Sequence, residues 1–82
     1  MTTEEKIKSF ILENFLFTDD ESAIGNEESL LDRGVIDSTG VMEVILFLEE
    51  EFGVQVQDDE IIPENLDSIS NIKRFVESKV GA

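Results

Sequence analysis

The chain has 82 residues, 40% of them hydrophobic, and 20 acidic against 6 basic side chains give it a formal net charge of −14. This length predicts one small domain, residues 1–82, with a thin hydrophobic core. Because the chain contains neither cysteine nor histidine, its composition excludes disulfides, thiolate metal sites, a thiol nucleophile and a Ser-His-Asp triad.

Location and partner class follow from hydropathy and charge. No apolar run approaches the roughly 18–20 residues that span a bilayer, and the N-terminal stretch MTTEEKIKSF lacks the apolar core of a signal peptide. We therefore expect a cytoplasmic protein. Its acidity repels nucleic acid and anionic lipid and attracts basic protein surfaces. The same acidity would also suit a protein that needs charge only for solubility.

The first predicted helix runs to about Leu16. Thr2 and Glu5 have the spacing of a capping box at its start. Its apolar stripe consists of Ile7, Phe10, Ile11 and Phe15. From Phe17 to Asp37 the periodicity fails among turn-forming residues, so we expect a long loop. Five apolar residues should hold this loop to the helices: Ile24, Leu30, Leu31, Val35 and Ile36.

A strongly patterned second helix is predicted from Asp37 to Phe52. Five apolar residues share one face of it: Val41, Val44, Ile45, Leu48 and Phe52. Met42 and Leu46 fall beside that face, where a domain this small should leave them exposed. Gly40 lowers helix stability by roughly 0.5–1 kcal/mol relative to alanine, which predicts close approach by another backbone or by a partner.

The segment after the second helix is predicted to be a link and a short helical turn. Gly53 ends the helix. Residues 54–57 alternate Val and Gln, but with no partner strand in the sequence we expect an extended link. One short helical turn should run from Asp58 to Ile62 and close before Pro63.

A last helix completes the predicted bundle. Ser68 or Ser70 caps it, and Gly81 ends it. Its inner face consists of Ile69, Ile72, Phe75, Val76 and Val80. The predicted fold is therefore all-α: a bundle of three principal helices and one short helix, with a long loop between the first and the second.

Enzymatic and metal-binding interpretations find no support in the residues. With 20 acids, carboxylate pairs arise by chance, and nothing marks one pair as buried. A calcium loop starting at Asp20 would place Leu31 where the bidentate glutamate belongs. One starting at Asp19 would place Ile24 where the glycine belongs. Neither an enzyme nor a specific metal site is predicted.

Ser38 is the residue that these exclusions leave unexplained. A serine beside an aspartate at the start of a helix is ordinarily a cap. A phosphate attached to such a serine would rest against free backbone N–H groups and the positive end of the helix dipole. An exposed hydroxyl at this position is therefore also suited to carrying a phosphodiester.

The sequence around Ser38 also carries a family pattern. The stretch LLDRGVIDSTG leads into the helix VMEVILFLEEEFG, so that Asp37 and Ser38 stand at the head of the second helix. In this arrangement the chain resembles the acyl carrier protein family, which has an Asp-Ser pair at that point. The later stretch IPENLDSISNI is similar to the family's passage from a short third helix into the fourth. The resemblance covers essentially the whole chain.

The resemblance implies a carrier rather than an enzyme, with an acyl-carrier-like four-helix bundle. Ser38 would receive 4′-phosphopantetheine from coenzyme A through a magnesium-dependent phosphopantetheinyl transferase, with Asp37 as the adjacent acid. The thiol of this arm would hold an acyl or aminoacyl group as a thioester. Besides the transferase, the implied partners are a loading ligase and a downstream transferase with basic surfaces. The family's partner surface carries over onto Thr39, Met42, Glu43, Leu46 and Glu49.

Departures from fatty-acid carriers bear on the cargo. Thr39 stands where the family commonly has leucine, and Gly40 replaces an acid, which makes the pattern more similar to D-alanyl and other specialised carriers. Phe47 stands where fatty-acid carriers often have a small residue, so we expect it to narrow or reshape the interior that would otherwise shelter a long acyl chain. The resemblance implies a monomer acting in fatty-acid or secondary-metabolite biosynthesis. The alternative function is an unmodified acidic helical adaptor that binds a basic partner.

Overall fold

The structure is a computed structural model that describes residues 2–80. Within this range the fold is all-helical, as predicted, and contains four α-helices. These helices are α1 (Thr3–Ile11), α2 (Ser38–Phe52), α3 (Pro63–Leu66) and α4 (Ile69–Val80). The long connection between α1 and α2 is also present. The predicted architecture of three principal helices and one short helix is therefore confirmed.

Helix α1 begins at the predicted capping box. Thr2 Oγ1 accepts from the Glu5 N–H at 3.1 Å, and Glu5 Oε1 accepts from the Thr2 N–H at 3.0 Å. These bonds to Thr2 lower the pKa of the Glu5 carboxyl. After Ile11 the helix widens into a π-helical turn, Leu12–Leu16. The helical region thus ends where predicted, but the wider turn was not anticipated.

Helix α2 buries the predicted face. Val44, Ile45 and Leu48 are buried, whereas the two stripe residues nearer the ends, Val41 and Phe52, are half-buried. Gly53 ends the helix in the left-handed conformation, with φ 67°, where glycine is the preferred residue. On the outer side, Met42 is 52% exposed and Leu46 is 55% exposed. Both exposed positions agree with the prediction.

The short third helix begins at Pro63 instead of ending before it. A 3₁₀ turn, Asp58–Glu60, occupies the predicted segment, and α3 then runs from Pro63 to Leu66. Proline is well suited to the first helical position because its missing N–H would have no partner there anyway. The predicted boundary before Pro63 is therefore wrong, because proline starts helices as well as ending them.

Helix α4 begins after Ser68. The Ser68 Oγ accepts from the Asn71 N–H at 3.0 Å, which identifies Ser68 as the cap in place of Ser70. Four of the predicted inner residues are buried: Ile69, Ile72, Phe75 and Val76. Val80 is 54% exposed, so its assignment to the inner face was wrong. The predicted end at Gly81 lies outside the described residues.

A polar cluster around Asp67 holds the long loop to the junction of α3 and α4. Ser29 Oγ donates to Asp67 Oδ1 at 2.7 Å, and the Leu31 N–H donates to the same oxygen at 3.2 Å. The Leu30 N–H donates to the Asp67 carbonyl at 2.6 Å. The predicted apolar anchors Ile24, Leu30 and Ile36 are buried, but Leu31 is 40% exposed.

Candidate functional site at the head of helix α2

Ser38 is the first residue of α2, and Asp37 is its cap. Asp37 Oδ1 accepts from the Gly40 N–H at 2.7 Å, and the Asp37 carbonyl accepts from the Val41 N–H at 2.9 Å. Ser38 itself is exposed. Because Asp37 performs the capping, the interpretation of Ser38 as an ordinary cap is wrong. Its side chain has no part in beginning the helix.

The head of α2 combines a free hydroxyl with free backbone donors. None of the side-chain hydrogen bonds that serines make within residues 2–80 involves Ser38. The first N–H groups of a helix lack an acceptor in a preceding turn, and Asp37 satisfies only that of Gly40. The N–H groups of Ser38 and Thr39 therefore remain for a ligand. Together with the helix dipole, they favour a phosphate on Ser38.

Gly40 is buried against an aromatic ring from the end of the π-helical turn. A Cβ added to Gly40 would lie 2.9 Å from Phe15 Cε1 and 3.4 Å from Asp37 Oδ1. The close approach to Gly40 is therefore confirmed, but the prediction that another backbone or a partner makes it is wrong, because the approaching group is the Phe15 side chain of the same chain. The contact ties the end of the π-helical turn to the first turn of α2, beside Ser38.

Four of the five predicted partner-surface residues are exposed on α2. Thr39, Met42, Glu43 and Leu46 are exposed, and their spacing places them along one side of the helix. Glu49 is half-buried, and its Oε2 accepts from the Val56 N–H at 3.1 Å. Glu49 thus holds the link after α2 in place as well as bordering this side of the helix.

An apolar pocket of about 140 Å³ lies between α2 and α3. It is lined by Leu31, Val41, Ile61, Ile62, Pro63 and Leu66. Val41 is only three residues after Ser38, so the pocket lies about one helical turn from the hydroxyl. The sequence pattern does not reveal this pocket. It predicts a short turn that closes before Pro63, whereas the pocket is lined by Pro63 and Leu66 of a helix that begins at Pro63.

Phe47 is not among the residues that line this pocket. Its ring stacks on that of Phe10, with centroids 4.1 Å apart and an interplanar angle of 13°. It also meets Phe52 edge to face at 5.9 Å. Phe47 therefore fills the seam between α1 and α2. The expectation that Phe47 narrows or reshapes the interior that would otherwise shelter a long acyl chain therefore stays a prediction.

Among residues 2–80, no three acidic side chains converge so as to hold a metal ion. In the same range, no helix combines the length and the apolarity needed to cross a bilayer.

Comparison with known proteins gives relatives that match nearly the whole chain. Over 76 residues, the chain is 33% identical to an acyl carrier protein of Thermotoga maritima, covering 93% of this chain and 89% of the relative. Over 78 residues, it is 35% identical to an acyl carrier protein of Thermosynechococcus vestitus, covering 95% of this chain and 91% of the relative. No family model matches the chain.

Proposed function

The chain belongs to the acyl carrier protein family, and from that premise we propose that Ser38 carries a phosphopantetheine arm. A member of this family is a carrier protein and not an enzyme. The arm, 4′-phosphopantetheine from coenzyme A, supplies a thiol that holds an acyl or aminoacyl group as a thioester. The chain itself has no cysteine, so this thiol has to come from the arm.

The observation that carries the proposal is the division of roles between Asp37 and Ser38. Asp37 caps α2 through the Gly40 N–H, which leaves the exposed Ser38 hydroxyl uncommitted. The Ser38 Oγ would attack the phosphorus on the pantetheine side of the coenzyme A diphosphate. A new P–O bond forms, the diphosphate bridge breaks, and adenosine 3′,5′-bisphosphate leaves.

The proton of the Ser38 hydroxyl must be taken up by a base during this transfer. The chain has no histidine, and the neighbouring carboxylate of Asp37 accepts a hydrogen bond within its own helix. We therefore assign the base and the magnesium ion to a phosphopantetheinyl transferase. The residues of this chain contribute the nucleophile, together with the backbone N–H groups and the helix dipole that favour the resulting phosphodiester.

A small cargo fits the pocket between α2 and α3. Its volume of about 140 Å³ is close to that of an engineered cavity of ~150 Å³ that holds one benzene molecule. A short apolar group would fit there. On the basis of this pocket and of the departures at Thr39 and Gly40, we propose a short acyl or aminoacyl cargo.

Partner enzymes would meet the exposed side of α2. Met42 and Leu46 supply apolar contact area and Glu43 supplies charge, a combination suited to basic surfaces with apolar centres. The partners proposed are the transferase, a loading ligase and a downstream transferase. We further propose that the carrier acts as a cytoplasmic monomer, because copies carrying a charge of −14 repel one another.

Intact mass spectrometry tests the proposal directly. The wild-type chain is incubated with coenzyme A, magnesium and a broad-specificity phosphopantetheinyl transferase, and Ser38→Ala is treated in parallel. We expect one phosphopantetheinyl group on the wild type and none on Ser38→Ala. Ser22→Ala is the matched control, since Ser22 is also an exposed serine close to an aspartate, and it should be modified fully.

The opposite result would favour the adaptor function. If the wild type is folded and gains no mass with either of two unrelated transferases, the arm is not attached and the proposal fails. Loss of modification in Ser22→Ala as well as in Ser38→Ala would show that the two serines are not distinguished. Circular dichroism of each variant separates these outcomes from unfolding.

A further inference from the structure

Phe17, which follows the π-helical turn, combines high exposure with an unfavourable backbone conformation. Its side chain is 85% exposed. Its φ is 54°, and among residues 2–80 it is the only residue other than glycine with a positive φ. Bulky side chains rarely adopt this left-handed conformation, because the Cβ crowds the backbone. Both features are unfavourable in the isolated protein.

The turn requires the left-handed backbone but not the ring. The Phe17 N–H donates to the Leu12 carbonyl, and the Thr18 N–H donates to the same oxygen at 3.1 Å. Glycine or asparagine would make these bonds with less strain. Because the Phe17 ring stays in solvent, it contributes little hydrophobic stabilisation that would offset the backbone strain. Folding therefore does not explain why phenylalanine is at this position.

The surroundings of the ring are acidic. Phe17 lines an open depression together with Glu13, Thr18 and Asp19. Glu13 and Asp19 are exposed, and residues 9–32 contain no lysine or arginine. An aromatic face bordered by carboxylates is suited to an arginine or lysine side chain, which gains cation–π and ionic contacts together. The same charges disfavour a second copy of this chain and an anionic lipid surface.

The π-helical turn that leads into the depression contacts the head of α2. Phe15, two residues before Phe17, has its ring against Gly40, two residues after Ser38. An enzyme that modifies Ser38 has to contact the protein directly, because no arm yet exists to bridge a gap. A standard interface covers about 800 Å² of each partner, about one sixth of the 4847 Å² that this chain exposes.

We propose that Phe17, with Glu13 and Asp19, is a docking site for an arginine or lysine of the phosphopantetheinyl transferase that modifies Ser38. The inference rests on the proposed carrier function. It adds a contact surface at the end of the π-helical turn, separate from the exposed side of α2. The ring anchors the partner, and the two carboxylates select for a cation.

The test compares stability and kinetics in the same variants, using a transferase that modifies the wild-type chain. For Phe17→Gly and Phe17→Asn we expect Tm to rise by a few degrees, because the left-handed strain is relieved. We expect KM for the carrier to rise about tenfold, as for loss of an interface anchor, with kcat unchanged. Phe17→Tyr keeps the ring and should keep both wild-type values.

Controls assign the effect to the site. Val80→Thr changes another exposed apolar residue, at the end of α4, and should alter neither Tm nor KM. Glu13→Gln combined with Asp19→Asn should raise KM and weaken its dependence on salt. The inference is overturned if Phe17→Gly and Phe17→Asn keep the wild-type KM, or if both lose stability. It is also overturned if sedimentation shows a wild-type dimer that Phe17→Gly abolishes. Failure of the wild type to be modified would instead overturn the carrier function.

Discussion

At the residue scale, two neighbouring side chains at the head of α2 have different tasks. Asp37 adopts an extended backbone, with φ −115° and ψ −171°, and its carboxylate accepts a hydrogen bond from the Gly40 N–H. Ser38 has already entered the helix and keeps its hydroxyl free. The aspartate therefore stabilises the helix start that presents the serine, and the two effects are separable by mutation.

Replacing Asp37 tests this separation. Asp37→Ala removes the cap, and we expect it to lower the free energy of unfolding by about 1 kcal/mol, within a range of roughly 0.5–2 kcal/mol. In a domain of this size, Tm should fall by about 4–8 °C for each kcal/mol. Asp37→Ser and Asp37→Asn are the controls, because both side chains cap helices, and they should retain most of the stability. Urea denaturation measures all three. If Asp37→Ala were as stable as the wild type, the 2.7 Å bond to Gly40 would contribute nothing.

Sequence patterns locate this site but do not resolve its capping. Asp37 and Ser38 are both good caps, and apolar periodicity cannot place a helix start to within one residue. Only the structure shows that Asp37 is the cap. The sequence also does not predict the left-handed backbone of Phe17, because that conformation follows from the π-helical turn. No residue type in the sequence signals that turn.

At the scale of elements, the π-helical turn and α2 meet at a contact between an aromatic ring and a glycine. The Phe15 ring occupies the space that a side chain at position 40 would need. It also meets Phe10 edge to face, with centroids 5.9 Å apart, which joins it to the aromatic seam between α1 and α2. Glycine at position 40 thus allows α2 to lie close to the preceding turn.

A double-mutant cycle on Gly40 and Phe15 tests this packing. In an unobstructed helix, Gly40→Ala would stabilise by roughly 0.5–1 kcal/mol. In the wild type we expect this gain to be lost or reversed, because the new Cβ would lie 2.9 Å from the Phe15 ring. In a Phe15→Leu background the gain should return, giving a coupling of about 1 kcal/mol. Chemical denaturation of the four proteins measures this coupling, and additive effects would show that the ring and the glycine are independent.

The elements that the sequence predicts well are those whose signals are local. The stripes of α1, α2 and α4 and the stop at Gly53 follow from spacing and residue type. The clasp between Ser29 and Asp67 joins residues 38 positions apart, so no local pattern reveals it. Helix α3 was misplaced because proline both ends helices and starts them. The pocket beside α3 was therefore missed with it.

At the scale of the whole molecule, charge is poorly balanced. Within residues 2–80, three ion pairs form, and each lies near the surface: Lys6–Glu51, Arg33–Glu28 and Lys79–Glu60. Lys6–Glu51 and Arg33–Glu28 are largely exposed, and such pairs contribute little stability. Lys79–Glu60 is half-buried. With 20 acids against 6 bases, most carboxylates have no cation to pair with and are repelled by other carboxylates at long range. Their repulsion destabilises the compact state, while the same field attracts basic partners.

These two consequences of the charge predict opposite responses to salt. Raising NaCl to about 0.5 M shortens the Debye length well below the ~10 Å found at 0.1 M. We expect the free energy of unfolding to rise, because repulsion among the acids is screened. If Ser38 is modified as proposed, we expect kcat/KM for this modification to fall, because attraction to the basic surface proposed for the transferase is screened too. Potassium chloride at the same concentrations should give the same curves, which would exclude an ion-specific effect. A modification rate that does not depend on salt would contradict electrostatic steering. A stability that falls as salt rises would show that the ion pairs outweigh the repulsion.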